Sequence, residues 1–254
     1  MFRRFDFDHP FLAAGFFLIC VVMGYVLVGM LRKHVRPGAR KTIYWAAALW
    51  LVSVSIRAKM GWYLEPHDFP PRFLIVIAPW ILGLAALAWS RKAGDFAEKF
   101  SQNFLIGIQG FRVLVELCIL ALHRRDLMPE EMTFHGQNFD IIPGITALIL
   151  AAFVRTDSVR WVGPIVLWNI VSMGVLLVTI TTGALSAPGP LRLLKTEIPN
   201  IAPLTFPYVL LPAFLVPLAF AFHILSLKRA RRTLQAAARE GSEDRPLVAP
   251  LTLA

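Results

Sequence analysis

The run FLAAGFFLICVVMGYVLVGML, residues 11–31, contains 21 residues and no charge. About 20 apolar residues suffice for an α-helix to span the hydrocarbon core of a bilayer. Arg3 and Arg4 precede the run, as in a signal peptide, but signal cores measure about 7–15 residues and end at small residues. Here Arg32, Lys33 and His34 follow directly. The run therefore predicts a membrane-spanning helix.

Six further apolar runs continue this pattern. We expect seven spans, at about residues 11–31, 42–63, 71–90, 102–123, 139–154, 161–183 and 204–227. The 254 residues are 57% hydrophobic and 17% charged, against about 45–50% and about 25% in soluble domains. The sequence thus predicts an all-α polytopic transmembrane bundle over residues 1–232. The small, charged segment 233–254 is expected to be a disordered cytoplasmic tail.

Basic residues set the expected orientation, because Lys and Arg of short loops stay on the cytoplasmic side. Loops on one side, together with the C-terminal tail, carry sixteen Lys and Arg residues, and those on the other side carry nine. This bias predicts an external N-terminus and a cytoplasmic C-terminus. Segment 91–101 is amphipathic and is expected to lie along the inner surface. We expect the protein in the bacterial cytoplasmic (inner) membrane.

The net charge of +10 would indicate nucleic-acid binding in a soluble protein. Here the basic residues flank apolar runs, so the lipid bilayer is the expected partner and nucleic acid is not. The cysteines, Cys20 and Cys118, lie inside apolar runs and indicate neither a disulfide framework nor a metal site. The oligomeric state is left open.

The fourth apolar run carries one polar stripe. Gln109, Arg112, Glu116 and His123 fall within roughly 60° of arc on a helix. Arg112 and Glu116 stand four residues apart, where helical side chains meet, so we expect them to pair. An unpaired charge at mid-membrane costs at least about 2.5 kcal/mol. The pair is either an internal clasp that fixes helix packing or the wall of a cavity that contacts a solute or relays protons.

The segment after this run is expected to return to the same place. The next apolar run, 139–154, has 16 residues, which give about 24 Å of helix against a core of about 30 Å. We therefore expect residues 135–140 to dip below the outer surface as a re-entrant segment. Asn138 or Asp140 could cap the following helix. Alternatively, an outward-facing pocket would gather Arg112, Glu116, His123, His135, Asn138 and Asp140.

Two further residues are open to the same pair of interpretations. Arg57 could neutralise an acid in the pocket or extend to the interface. Asn169 shares a helix face with Ser172 and Thr179, where such residues either bond neighbouring helices or line a pocket. His223 is expected to be a packed residue near the inner end of the seventh run. That run contains several prolines, and broken helices are frequent in transporters.

Three functions remain open on the sequence alone. The leading hypothesis is a small transporter or permease, in which Arg112 attracts an anionic group of a small-molecule solute and Glu116 or Asp140 exchanges a proton. The second is a membrane-embedded enzyme acting on a lipid or quinone, with a metal if the histidines and carboxylates converge. The third is a non-catalytic subunit or sensor. The spacing matches no metal motif, so we expect no metal, and no residue pattern identifies a cofactor.

Overall fold

The computed structural model describes residues 9–65, 70–154 and 158–243. Within these residues every regular element is a helix and there are no strands, which confirms the predicted all-α class. The α-helices are α1 (Pro10–His34), α2 (Pro37–Lys59), α3 (Leu74–Trp89), α4 (Arg91–Ala97), α5 (Gln102–Gly107), α6 (Phe111–His123), α7 (Ile141–Phe153), α8 (Val162–Ser186) and α9 (Val216–Glu243). A π-helical turn, Leu211–Leu215, leads into α9.

Four helical segments of the described chain are long and apolar enough to cross a membrane: Pro10–His34, Gln102–His123, Val159–Ser186 and Leu211–Glu240. A fifth arises if α3 and α4, which are bent by 80° relative to each other, count as one span. The two remaining predicted spans, which correspond to α2 and α7, do not meet the same criteria of length and apolar composition. α7 has 13 residues, or about 20 Å of helix, and α2 carries basic residues in its first and last turns.

Helix α9 lies at the centre of the bundle and packs against α3, α4, α5 and α8. The surfaces of α1 and α8 that face away from the bundle interior are largely apolar. Leu18 of α1 is 60% exposed and Leu167 of α8 is 64% exposed, and they belong to a large set of exposed aliphatic and aromatic side chains. Soluble monomers rarely expose contiguous apolar surface on this scale. A bilayer would cover it.

Helices α6 and α7 approach closely at Gly144. A Cβ atom added to Gly144 would lie 2.8 Å from Cγ2 of Val113 and 3.0 Å from its backbone nitrogen. These distances leave no room for a side chain, so glycine is required for the contact. Asp140 precedes Gly144 by about one helical turn. The close approach therefore holds Asp140 against the face of α6 that carries Arg112.

The C-terminal segment corrects one expectation. Helix α9 continues to Glu243, whereas we predicted disorder from residue 233. The sequence from Arg231 to Arg239 is rich in Arg, Leu, Gln and Ala, which are strong helix formers. Arg232 also pairs with Asp95 of α4. Residues 244–254, the rest of the predicted tail, lie outside the described residues.

Candidate functional site

Arg112 pairs with the helix that follows it and not with its own. Its Nε donates to Oδ2 of Asp140 at 2.8 Å, and its Nη2 donates to Oδ1 of the same carboxylate. This is a bidentate pair, the geometry that Arg and a carboxylate favour. Our expectation that Arg112 pairs with Glu116 was wrong, because α7 brings a better-placed carboxylate to the same guanidinium.

Asp140 stands at the N-terminus of α7, where we considered a capping role. Its side chain makes no capping hydrogen bond. The cap-like contact comes from Asn138, whose Oδ1 accepts from the backbone N–H of Asp140 at 3.1 Å. The carboxylate of Asp140 is thus left for Arg112.

Glu116 is held by an amide. The Nδ2 group of Asn138 lies 2.9 and 2.8 Å from the two carboxylate oxygens of Glu116. The same Nδ2 group donates to the carbonyl of Met132 at 2.9 Å. On the other side, the hydroxyl of Thr179 donates to Oδ1 of Asn138 at 2.7 Å. Asn138 therefore joins three parts of the chain around a carboxyl group that has no basic residue within ion-pairing distance among the described residues.

The network continues from Arg112 into α9. Nη1 of Arg112 lies 3.2 Å from Nε2 of His223, and a guanidinium can only donate, so Nε2 must accept. The proton of a neutral imidazole then sits on Nδ1, which lies 2.8 Å from Oδ1 of Asn169. The contacts assign His223 as the neutral Nδ1–H tautomer.

Beyond His223 the contacts reach the far end of α5. Nδ2 of Asn169 donates to the hydroxyl of Ser226 at 2.9 Å, and Nε2 of Gln102 donates to it at 2.6 Å. From Gln102 to Glu116 the helical segment advances about 21 Å. We call the following set the polar network: Gln102, Arg112, Glu116, Asn138, Asp140, Asn169, Thr179, His223 and Ser226.

The polar network is sealed from the exterior. Arg112 is 2% exposed and Glu116 is 1% exposed, and the other members are also buried. Gln109 is buried beside it, where its Nε2 donates to the carbonyl of Ala219 at 2.9 Å and its Oε1 has no partner. In this conformation the predicted residues therefore form a hydrogen-bonded interior instead of an open pocket.

Three predicted residues lie elsewhere. His123 is half-buried, with Nδ1 3.1 Å from the carbonyl of Met128. His135 is exposed and packs its ring against Phe134. The guanidinium of Arg57 lies 5.5 Å from the ring centre of Trp62. Within the described part of the chain, His, Cys, Asp and Glu side chains form no group of three or more suited to a metal ion.

Sequence reasoning missed His223 as a partner of Arg112. It also missed Ser226 and Gln102 as members of the polar network. His223 and Ser226 are three residues apart, so they share one face of an otherwise apolar stretch of α9. That spacing is the signal that could have identified a second polar stripe. It does not reveal which helix the stripe would face.

Comparison with known proteins identifies a family but no function. A family model described as a domain of unknown function (DUF8737) matches residues 69–231, more than half of the chain. The match includes α3 to α8 and most of α9, and thus the entire polar network. No curated protein and no solved structure matches the chain significantly.

Proposed function

The chain belongs to the DUF8737 family, and we propose that it is a small transporter or permease of the bacterial cytoplasmic membrane. In this proposal α2, α3 and α7 join the four long candidate spans to make seven, with the N-terminus outside and the C-terminus in the cytoplasm. The excess of Lys and Arg on one set of flanks, sixteen against nine, supports this orientation. Helix α4 then lies along the inner surface, consistent with its 80° bend from α3.

The charge count of the polar network carries the proposal. It contains two carboxyl groups, Asp140 and Glu116, and one guanidinium, Arg112. A net charge buried in an apolar interior is costly, and one bound proton would make the set neutral. The network is therefore suited to bind and release one proton, which is what a proton-coupled carrier requires.

A second arrangement of the same residues is geometrically accessible. Arg112 pairs with Asp140 here, while Glu116 lies one turn away on the same helix, at a spacing where side chains meet. Protonation of Asp140 would favour a switch of Arg112 to Glu116. Two discrete pairings of buried groups form a bistable element of the kind that couples distant sites.

The irregular turn that leads into α9 supports the same function. The π-helical turn at Leu211–Leu215 and Pro217 disturb the regular α-helical hydrogen bonding shortly before His223. Discontinuous helices near the middle of the membrane are frequent in transporters, because they allow parts of the bundle to move and expose backbone groups to solute. The sealed network corresponds in this proposal to an occluded state, which opens to one side when Arg112 changes partner.

The test is electrical. Purified protein in liposomes would be adsorbed on a solid-supported membrane, and currents recorded on a step to lower pH and on addition of amino acids and small organic acids. We expect currents from the wild type that Glu116→Gln abolishes. The matched control is Gln137→Glu, which adds a carboxylate at an exposed position near the network and should leave the currents intact.

Two results would contradict the transport proposal. One is a wild-type protein that gives no more current than protein-free liposomes under all these conditions. The other is a Glu116→Gln protein that folds normally and carries wild-type currents.

A further inference from the structure

A cavity lies outside the polar network, between α3, α8 and the segment that enters α9. Its volume is about 90 Å³, and it is partly open to the exterior. Eighteen described residues line it, and none of them has a charged side chain. Most are aliphatic or aromatic. An apolar cavity with a few polar atoms is the usual form of a small-molecule site.

Three polar side-chain atoms of this lining have no hydrogen-bond partner within the part of the chain that the structure describes: the hydroxyl of Tyr63, Nε1 of Trp80 and Oδ1 of Asn200. Tyr63 is 3% exposed and Asn200 is 2% exposed. Arg57 lies near the Tyr63 hydroxyl, but no hydrogen bond joins the two. A buried polar atom without a hydrogen-bond partner destabilises the protein. Three such atoms around one cavity are available to hydrogen-bond a ligand.

The backbone at the cavity is also unusual. Leu211 and Pro212, from the π-helical turn, and Val216, the first residue of α9, all belong to the lining. π-Helical turns are rare and occur frequently at functional sites, because they displace side chains from the regular helical positions. This observation is independent of the unpartnered polar atoms and points to the same cavity.

We propose that this cavity binds a neutral, lipid-soluble molecule whose ring carries hydroxyl or carbonyl oxygens, the chemistry of a quinol or quinone. The hydroxyl of Tyr63 and the N–H of Trp80 are donors for a ring oxygen, and Oδ1 of Asn200 is an acceptor for a hydroxyl. The aromatic rings of Tyr63, Phe73 and Trp80 suit a flat head group. The described residues of the lining offer no charge that could pair with an ionic head, which disfavours such a ligand.

The site also adjoins the polar network. Thr179 and Met132 line the cavity, and both contact Asn138, which holds Glu116. A ligand here would therefore be separated from Glu116, one of the groups that we propose to exchange a proton, by two residues, Thr179 and Asn138. The binding site nevertheless stands on its own, because its evidence does not involve transport.

Binding would be measured on the full-length protein in nanodiscs, with a decyl-substituted benzoquinone and its quinol as probes and quenching of tryptophan fluorescence as the signal. Decanoate, which carries the same chain on an anionic head, is the control ligand. We expect saturable binding of the quinone or quinol, and much weaker binding of decanoate.

The first variant is Tyr63→Phe, which removes only the unpartnered hydroxyl. We expect the affinity for the probe to fall about threefold to tenfold, as for one lost hydrogen bond. The ligand-free protein should be no less stable than the wild type, because the hydroxyl has no partner to lose. If the hydroxyl had only a structural role, Tyr63→Phe would lower the stability of the ligand-free protein and leave the affinity for the probe unchanged.

The second variant, Gly183→Leu, fills the cavity. A Cβ atom at Gly183 would already lie 3.3 Å from Cε of Met132 and 3.4 Å from Nδ2 of Asn200. The matched control is Gly174→Leu on the same helix, where a Cβ atom meets no heavy atom within 4 Å. We expect Gly183→Leu to abolish binding and Gly174→Leu to preserve it.

If Gly183→Leu does not fold, Tyr63→Phe still decides the question. The proposal is overturned if the quinone and quinol do not bind, if decanoate binds equally well, or if binding is unchanged in Tyr63→Phe.

Discussion

The polar network and the cavity both contain polar atoms in the apolar interior, but they differ in how many of those atoms have a hydrogen-bond partner. In the network, Arg112 pairs with Asp140, and Asn138 bonds the carboxyl group of Glu116 and the backbone of Asp140, while one amide oxygen, Oε1 of Gln102, is unpartnered among the described residues. In the cavity, polar atoms of Tyr63, Trp80 and Asn200 have no partner among the described residues. Paired groups stabilise the fold that pairs them, whereas unpaired ones reduce stability until something binds. The contrast distinguishes a built-in element of the bundle from a site prepared for a ligand.

The largest effect is expected on breaking the ion pair. Arg112→Met would leave the carboxylate of Asp140 buried without its partner, at a cost of about 3–5 kcal/mol. The double variant Arg112→Met, Asp140→Leu should recover most of this loss, because no buried charge is left alone. Unfolding free energies in mixed detergent micelles would measure both.

The chain provides a matched control for this pair. Arg232 and Asp95 form the same kind of ion pair, but at 32% and 62% side-chain exposure. Arg232→Met should cost less than about 1 kcal/mol. An equal cost for the two Arg→Met variants would mean that water reaches the polar network, and the contrast with the cavity would fail.

The second effect concerns Asn138, whose side-chain amide bonds the carboxyl group of Glu116 and the backbone N–H of Asp140. Asn138→Ala removes the contacts of Nδ2 with Glu116 and Met132 and of Oδ1 with Thr179. We expect a loss of about 2–3 kcal/mol in the free energy of unfolding, since several buried groups lose partners together. Gln137→Ala, the exposed neighbouring amide, should stay within about 0.5 kcal/mol of the wild type. If Asn138→Ala and Gln137→Ala lowered the free energy of unfolding by similar amounts, the effect would come from the loop backbone and not from the contacts of the Asn138 amide.

Much of the fold follows from the sequence because long uninterrupted apolar runs leave few alternatives. The predicted run 11–31 lies within Pro10–His34, and 102–123 coincides with the segment Gln102–His123. The bend between α3 and α4 and the extension of α9 to Glu243 are harder to predict. Both depend on contacts between distant segments, such as Arg232 with Asp95, which hydropathy does not contain.

Some of the residues in the polar network could be predicted from the sequence, but the way in which they pair could not. Helical periodicity placed Arg112 and Glu116 on one inward face, since it depends only on position along one helix. Periodicity could not show that Arg112 pairs with Asp140 and not with Glu116, because that pairing depends on the close approach of α6 and α7 at Gly144. For the same reason the cavity left no sequence signal: Tyr63, Trp80 and Asn200 come from three separate segments.

The smallest effect tests the residue that both features share. The hydroxyl of Thr179 donates to Asn138, while the residue also lines the cavity. Thr179→Val keeps the shape but removes that bond, so we expect about 1 kcal/mol less stability and little change in affinity for the quinone probe. Tyr63→Phe should do the reverse, with unchanged stability and weaker binding. Loss of a partner inside the fold should lower the free energy of unfolding, whereas loss of a group that bonds a ligand should lower the binding affinity. If both variants changed only the stability, or both changed only the affinity, the distinction between paired and unpaired polar atoms would be wrong.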